Sequence, residues 1–562
     1  MPESHQDSGV ASSRRPDEES LSPTIVGNSL AQGVGTIVSR LTGVGRVVVT
    51  AAVLGPTYLG NTYQGINSLP NLVFYGFLAG SLFVSLLVPP LVRHLDLGDE
   101  EAAERLACGF LGVAMVAFTL VTALAVLAAP LVLAALSAGV DQGEVASEQR
   151  RIGVPLLAML MPQVALYGIA GTAGAVMNSR GHFALPAAAP ALENVGITAT
   201  LLASAVIYGT GGPLEDVTTA QLLLLGLGTT ASVGLHAAAQ WWGAWRVGVR
   251  LIPRAGWGDP EVREVIRRVV PSVGLAGLAA LGAFAVLVVS NRVPGGVLAF
   301  ALAQNFYFLA IAVAANPIAA ALLPRLSRLY DREETQLFRD ELVRGLALAF
   351  FLTVPAAIAY LALAYPLAEA VSFGEMNTST GVTLVAASLA SIAVGVIGET
   401  RWSVVAQASY AQRDARSPLL SSVVRLCVTL AGMVVALFLD GAEVLIAIGL
   451  AVSLGDNVGA WHLWRRITRK LPPSGVGVAA SFGRSLLASL LMAGPAYLVA
   501  VTLPPFLEGK TRDVLGVVIA MLVGGALYFG VNRAWKSVEL STFLGGFGQL
   551  GRRSSTHEVE GG

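Results

Sequence analysis

Asn28, Gln32, Thr36, Ser39, Gly43, Arg46 and Thr50 recur at steps of three and four, so on a helix they form one polar face. Arg40 sits beside that face, near the middle of an otherwise apolar run over 27–54. A central arginine costs roughly 2.5–3.5 kcal/mol in a bilayer, while each leucine returns only about 0.3–0.6 kcal/mol. Both arginines must therefore face protein or water and not acyl chains. No carboxylate lies in that run to neutralise them. A pair of guanidinium groups suits phosphate oxyanions, because each stays charged and presents its donors as a fork. The competing reading has Arg46 snorkelling to an interface or pairing with Glu193 or Glu399 of another helix.

Other polar positions carry less. Glu193, Glu399, Arg401, Arg425 and Asp456 lie near apolar runs, and structural pairing explains them better than a coupling-ion site. The six histidines have no metal-ligand spacing, and there is no phosphate-cradling Gly-rich loop and no Ser/His/Asp set. ATP-driven transport and hydrolysis have no visible machinery, so neither an enzyme nor a cofactor is expected. Cys108 and Cys427 each fall in a long apolar run and read as plain core residues.

These residues need elements to position them, and composition says which. Charged side chains make up 13% of the 562 residues, with 36 basic and 36 acidic, against roughly 25% in a soluble domain. Apolar residues reach 54% and mean hydropathy is +0.68, which leaves too little polar surface for a soluble fold. The expected class is all-α, a polytopic membrane protein. Zero net charge and the lack of basic runs exclude nucleic acid as a partner. A bilayer core of roughly 30 Å needs about 20 apolar residues per helix, and the chain divides into fourteen such runs, from 27–54 and 66–92, through 295–323, to 481–503 and 513–533. Arginines cluster in alternate loops, while the loops at 55–65, 209–218, 366–378 and 438–441 hold no Lys or Arg. Positive residues stay inside, so both termini are expected in the cytoplasm, with Arg150, Arg151, Arg292, Lys510 and Arg512 as exceptions.

Two internal echoes suggest duplication. The segment 81–93 lies against 316–328, matching Leu87/Leu322, Pro89/Pro324, Leu91/Leu326 and Arg93/Arg328, and Arg180 with Pro186 answers Arg413 with Pro418. The expected organisation is a polar leader at 1–24, a first lobe of six helices at 25–248 and a basic linker at 249–264. A second lobe follows at 265–470, then two appended helices within 471–535 and a tail at 536–562. The stretch from Arg246 to Arg268 also reads as an amphipathic surface segment anchored by Trp241, Trp242, Trp245 and Trp257.

The run Ser39-Arg-Leu-Thr-Gly-Val-Gly-Arg46, then Leu69-Pro-Asn71 and Gly76-Phe-Leu-Ala-Gly80, resembles the opening of the MurJ/MviN family of lipid-linked peptidoglycan precursor flippases. Leu322-Leu-Pro-Arg-Leu-Ser-Arg328 and Gln407-Ala-Ser-Tyr-Ala411 resemble its second-lobe motifs. The resemblance implies a V-shaped pair of six-helix lobes, alternating access, and a hydrophobic groove beside the last two helices for a polyprenyl tail. It maps Arg40 and Arg46 onto cavity arginines that hold a pyrophosphate. It also shows departures: Asn61 and Ala79 stand at acidic positions, Phe74 at an arginine position, and Gln304-Asn305 at an Asp-Arg pair. The expected headgroup-binding set is Arg40, Arg46, Asn28, Gln32, Ser39, Asn61, Asn71, Gln304 and Asn305.

The function that follows is translocation of an undecaprenyl-pyrophosphate-linked glycan, lipid II above all, across a bacterial cytoplasmic membrane. The expected partners are that lipid, the surrounding bilayer and cell-wall synthesis proteins. Three alternatives stay open: another lipid-linked oligosaccharide as cargo, a cation-coupled drug exporter, and a non-transporting scaffold of an envelope-synthesis complex.

Overall fold

A computed structural model describes residues 23–77, 81–140, 143–475, 477–502 and 508–545. Most of the leader, the end of the tail and Ala79 lie outside the described residues. Every element among the described residues is helical, as a bilayer demands: hydrocarbon offers backbone N–H and C=O groups no partner, so each segment must satisfy its own. Twelve helices are long and apolar enough to cross a membrane, and the bent pair Ser379–Ala393 and Gly395–Ala411 makes a thirteenth. The run read at 66–92 is divided among Tyr58–Asn71, a π-helical turn at Leu72–Phe77, and Ser81–Asp96. The break is local, since Pro70 removes a helical donor just before the wide turn.

The same device recurs in the other half. The run read at 295–323 becomes Gly296–Ala310, a π-helical turn at Ile311–Ala315, and Asn316–Asp331 with Pro317 in its first turn. The helices Ser81–Asp96 and Asn316–Asp331 are both 16 residues long and begin and end 235 positions apart, the spacing at which the two sequence segments match.

Helix starts follow the sequence. Thr57, Asp99, Thr218, Asp259 and Thr378 each accept a hydrogen bond from a first-turn N–H, and Pro260 follows Asp259 in the first helical position. Between Arg246 and Pro260 the linker is not helical, and Trp241, Trp242, Trp245 and Trp257 around it are exposed. It is strapped to two helices: Arg254 N donates to Cys108 O of Glu100–Leu127 at 3.1 Å, and Trp241 Nε1 of Thr219–Arg246 donates to Leu251 O at 3.1 Å. Cys108 is buried there, whereas Cys427 is exposed and is no core residue.

Loops alternate between two ends of the bundle. One end gathers the arginine-rich loops: Arg180 meets Glu100 at 3.4 Å, Arg413 meets Asp331 at 2.9 Å, and Arg93 and His94 both meet Glu261. At the opposite end the two halves clasp. Gly295 N donates to Thr57 O at 3.2 Å and Thr210 Oγ1 to Glu375 Oε1 at 2.7 Å across the halves, while Gly211 N donates to Val53 O at 2.8 Å within the first half. Gly295 has φ +75°, and a Cβ on it would lie 2.2 Å from Pro56 Cα, so only glycine admits this approach. Arg292, an exception to the charge bias, is tied down at the same end, donating to Ala436 O at 2.7 Å and Gly139 O at 3.2 Å. The helix Pro260–Ser290 packs against both halves, and the last two spans, Val478–Thr502 and Gly509–Ala534, pack on each other and on Thr335–Ala362 and Ala364–Val371.

Candidate functional site

The first helix, Pro23–Leu54, carries the polar stripe across the bundle. Its hydroxyls turn back onto their own helix: Thr36 Oγ1 donates to Gln32 O at 2.9 Å, and Thr50 Oγ1 to Arg46 O at 2.8 Å. That removes the Thr36 and Thr50 hydroxyls as free donors. Ser39 lends its carbonyl to Asn194 Nδ2 at 3.2 Å. Asn28 lies on this helix, but its side chain is outside the described residues.

Arg46 is half-buried and Arg40 exposed. Among the described residues neither guanidinium meets a carboxylate. Glu193, one candidate partner, is taken by His236 Nδ1 at 3.0 Å and by the Tyr167 hydroxyl at 3.0 Å. Glu399, the other, is taken by Arg425 at 2.7 Å, and Arg425 also lies 2.7 Å from Asp456.

Arg46 lines a polar cavity of about 140 Å³ between the halves, together with Gln64, Ser68, Ser290, Gln304 and Asn305. Its Nε is buried and has no hydrogen-bond partner. A buried, unpartnered donor on a permanent cation costs free energy unless something accepts from it. The cavity therefore brings together Arg46, Gln304 and Asn305 from the expected set. Gln64 and Ser68 were missed, although their i, i+4 spacing beside Asn61 and Asn71 in one short helix marks a polar face.

The remaining expected residues are placed elsewhere. Gln32 lines a second cavity, of about 290 Å³, inside the first lobe. Asn61 is 1% exposed and both ends of its amide are engaged by the second half: Nδ2 donates to Val293 O at 2.8 Å, and Oδ1 accepts from Val297 N at 3.0 Å. It acts as a clasp residue. Asn71 ends the Tyr58–Asn71 helix and lines neither cavity. Phe74, at the expected arginine position, is buried edge-on against Phe118, with ring centroids 5.7 Å apart.

The second lobe holds a buried polar cluster of its own. Arg425 bridges Glu399 and Asp456, and the Tyr307 hydroxyl donates to Asp456 Oδ2 at 2.6 Å. The cluster borders a cavity of about 350 Å³ that also reaches Gln304. Arg401 stands apart, over the Phe350 ring at 5.7 Å.

The comparisons with known proteins agree with this architecture. The family model described as lipid II flippase MurJ matches residues 50–510. A relative from Burkholderia cenocepacia, lipid II flippase MurJ, is 24% identical over 88% of this chain and 94% of its own. A probable lipid II flippase MurJ from Rhizobium tropici is 24% identical over 81% of this chain and 86% of its own. Among solved structures, lipid II flippase MurJ in an inward closed conformation superposes with a TM-score of 0.70 at 16% identity, covering 90% of this chain and 99% of that one. An inward-facing multidrug resistance MATE family transporter of the MOP superfamily superposes at 0.62 with 15% identity, covering 79% and 98%. With the family model matched across most of its length, this multi-pass membrane protein belongs to the MurJ lipid II flippase family.

Proposed function

We propose that this chain flips an undecaprenyl-pyrophosphate-linked glycan precursor, peptidoglycan lipid II, across the bacterial cytoplasmic membrane by alternating access. The observation that carries this reading is Arg46, a permanent cation that lines a polar cavity between two clasped halves and meets no carboxylate among the described residues. The headgroup enters from the arginine-rich end, where the first helix leaves Val34, Ile37, Val38 and Leu41 exposed. Its phosphates meet Arg40 and Arg46, and the polyprenyl tail stays in lipid. An apolar hollow of about 200 Å³, lined by Phe351, Met492, Ala496, Tyr528 and Phe529 beside the last two spans, supports a seat for that tail.

The arginine-rich loops favour a cytoplasmic location for that end and for both termini. No bond is made or broken, so the work lies in moving a charged headgroup. A charge crossing the full potential is worth roughly 2.3 kcal/mol per 100 mV, enough to bias the cycle. Enzymes of cell-wall synthesis that make or consume the lipid are natural partners.

One observation favours a second cargo. With Phe74 buried and Gln304-Asn305 uncharged, the cavity carries fewer charged groups of both signs than the family resemblance implies, which suits a different lipid-linked oligosaccharide.

The test is depletion of the protein, followed by analysis of which precursor builds up on the inner leaflet, with complementation by the double variant R40A/R46A. The expected result is lipid II accumulation that native protein relieves and the double variant does not, at equal membrane levels. Relief by the double variant overturns the site assignment. Accumulation of another glycolipid selects the second cargo, and no accumulation at all leaves the drug-exporter or scaffold role.

A further inference from the structure

His236 stands in the wall of the second cavity, and phosphate binding gives it no task. It is 5% exposed and lies ten residues inside the Arg246 end of its helix, roughly 15 Å into the bundle. Its two ring nitrogens have different surroundings. Nδ1 lies 3.0 Å from Glu193 Oε2, while Glu193 Oε1 accepts from the Tyr167 hydroxyl at 3.0 Å. With both carboxylate oxygens accepting, Nδ1 carries the hydrogen. Nε2 has no hydrogen-bond partner among the described residues, yet it is not one of the unpartnered side-chain atoms sealed from solvent. It opens on the cavity, whose volume of about 290 Å³ is ample for water.

A ring held at Nδ1 and open at Nε2 can take up a proton without breaking any bond of its network. The hydrogen bond to Glu193 persists in both states, and the new N–H bond forms at the Nε2 lone pair with a proton drawn from cavity water. With neutral imidazole the pair keeps one negative charge; with imidazolium it has none, and a net charge inside a bilayer is costly. Histidine is also the side chain whose ordinary charge change falls between pH 5 and 8.

Few other charged or titratable groups face the ring. The helix Pro190–Tyr208 brings Glu193, Gln163–Ser179 brings Tyr167, and the wide turn Leu72–Phe77 brings Tyr75 to the cavity wall. The short helix Ala184–Ala188 brings none, and those of Gly143–Leu160 lie in its first half, between Glu144 and Arg151. The first helix, packed on Pro190–Tyr208, brings Arg40 and Arg46. Asn194, next to Glu193, ties the pair to that helix: its Nδ2 donates to Ser39 O and Thr42 Oγ1, each at 3.2 Å, on either side of Arg40. Thr36, in the same wall as His236, precedes Arg40 by one helical turn, about 6 Å. A proton on the ring and an anion on the first helix attract each other, so by reciprocity each strengthens binding of the other.

We infer that His236 Nε2 is a proton-binding site coupled to the anionic cargo, taking up a proton as the phosphates reach the first helix and releasing it as they leave. The inference rests on the reading of Arg46 as a phosphate ligand and adds a coupled ion to it.

The experiment measures binding of a soluble probe, farnesyl pyrophosphate esterified with an N-acetylated disaccharide, to the purified full chain in detergent. Its diphosphate diester has no group that titrates near neutrality. Affinity is read at pH 6 and pH 8, and proton uptake at pH 7 from the heats in two buffers of different ionisation enthalpy. H236N keeps an N–H where Nδ1 stood and removes Nε2; E193Q leaves the ring in place, removes its counter-charge, and decides the matter if H236N does not fold. From pH 8 to pH 6 the native chain should tighten at least about fivefold, with net proton uptake, while each variant changes by less than about twofold and takes up none. Native affinity that is flat with pH, or native tightening retained in H236N or E193Q, overturns the proton site. R46A should weaken the probe at both pH values. If it does while the native chain and H236N share one pH profile, the proton site is wrong and the phosphate reading survives. If R46A binds like the native chain at both, the phosphate reading fails, and a pH dependence lost in H236N still supports the proton site.

Discussion

Thr210 Oγ1 donates to Glu375 Oε1 at 2.7 Å, and the two residues sit on loops of different halves. Beside them Gly211 N reaches Val53 O within the first half. The clasp that Thr210 and Glu375 form closes the end of the bundle that lacks the arginine-rich loops, so alternating access requires it to part. With the exposed Cys427 replaced by serine, T210C/E375C joined by a short reducible thiol linker should abolish translocation in proteoliposomes, and reduction should restore it. Transport that continues with the linker in place would mean this end stays shut throughout the cycle.

Gly295 permits the closest approach within the same clasp. Alanine there adds a Cβ 2.2 Å from Pro56 Cα and places a side chain at φ +75°. The left-handed conformation alone costs roughly 1–2 kcal/mol, and backbone against backbone cannot yield as a flexible side chain can. G295A should therefore separate the clasp, measured as a longer distance between spin labels on the loops at 56 and 295. An unchanged distance distribution would place the closing energy elsewhere, with Asn61 as the first alternative.

Arg425 holds two carboxylates inside the second lobe, and the Asp456 side chain is fully buried. Removing the arginine strands both charges, a loss of roughly 3–5 kcal/mol for a broken buried pair. R425A should lower the thermal unfolding temperature in detergent sharply. R425M/E399Q/D456N, which neutralises all three groups, should recover most of it. Equal stability of both variants would show that the cluster is solvated and contributes little to the fold.

Asp414 lies in the loop before Arg416 at the arginine-rich end. Burial opposes ionisation, but the Ser417 hydroxyl, at 2.6 Å, and the N–H groups of Ser417 and Arg416, each at 3.0 Å, hold the carboxyl below its usual range. Because the folded pKa is depressed, its contribution is complete above the ordinary aspartate value of about 3.9 and fades as pH falls through the lower folded value. D414A should cost about 0.5–2 kcal/mol as a lost helix cap and flatten the acid limb of the stability profile, and D414N, which keeps a capping oxygen, should flatten that limb at a smaller cost. A profile unchanged from native would remove Asp414 from the acid response.

The sequence by itself determined the class, the alternation of loops and the duplication. A bilayer tolerates only apolar helices with cations kept at their ends, and both properties are written in composition and spacing. The polar stripe was legible too, because Arg40 and Arg46 are too costly to expose to lipid. Tertiary structure decided what each polar group meets. Asn61 could not be distinguished from a cavity residue until the backbone of the other half was seen to engage its amide, and Glu193 and Glu399 were possible partners of Arg46 until His236 and Arg425 were found beside them. His236 carries no local signal: a lone histidine in an apolar run becomes a site only when one ring nitrogen is held and the other left facing a void, and voids arise between helices distant in sequence.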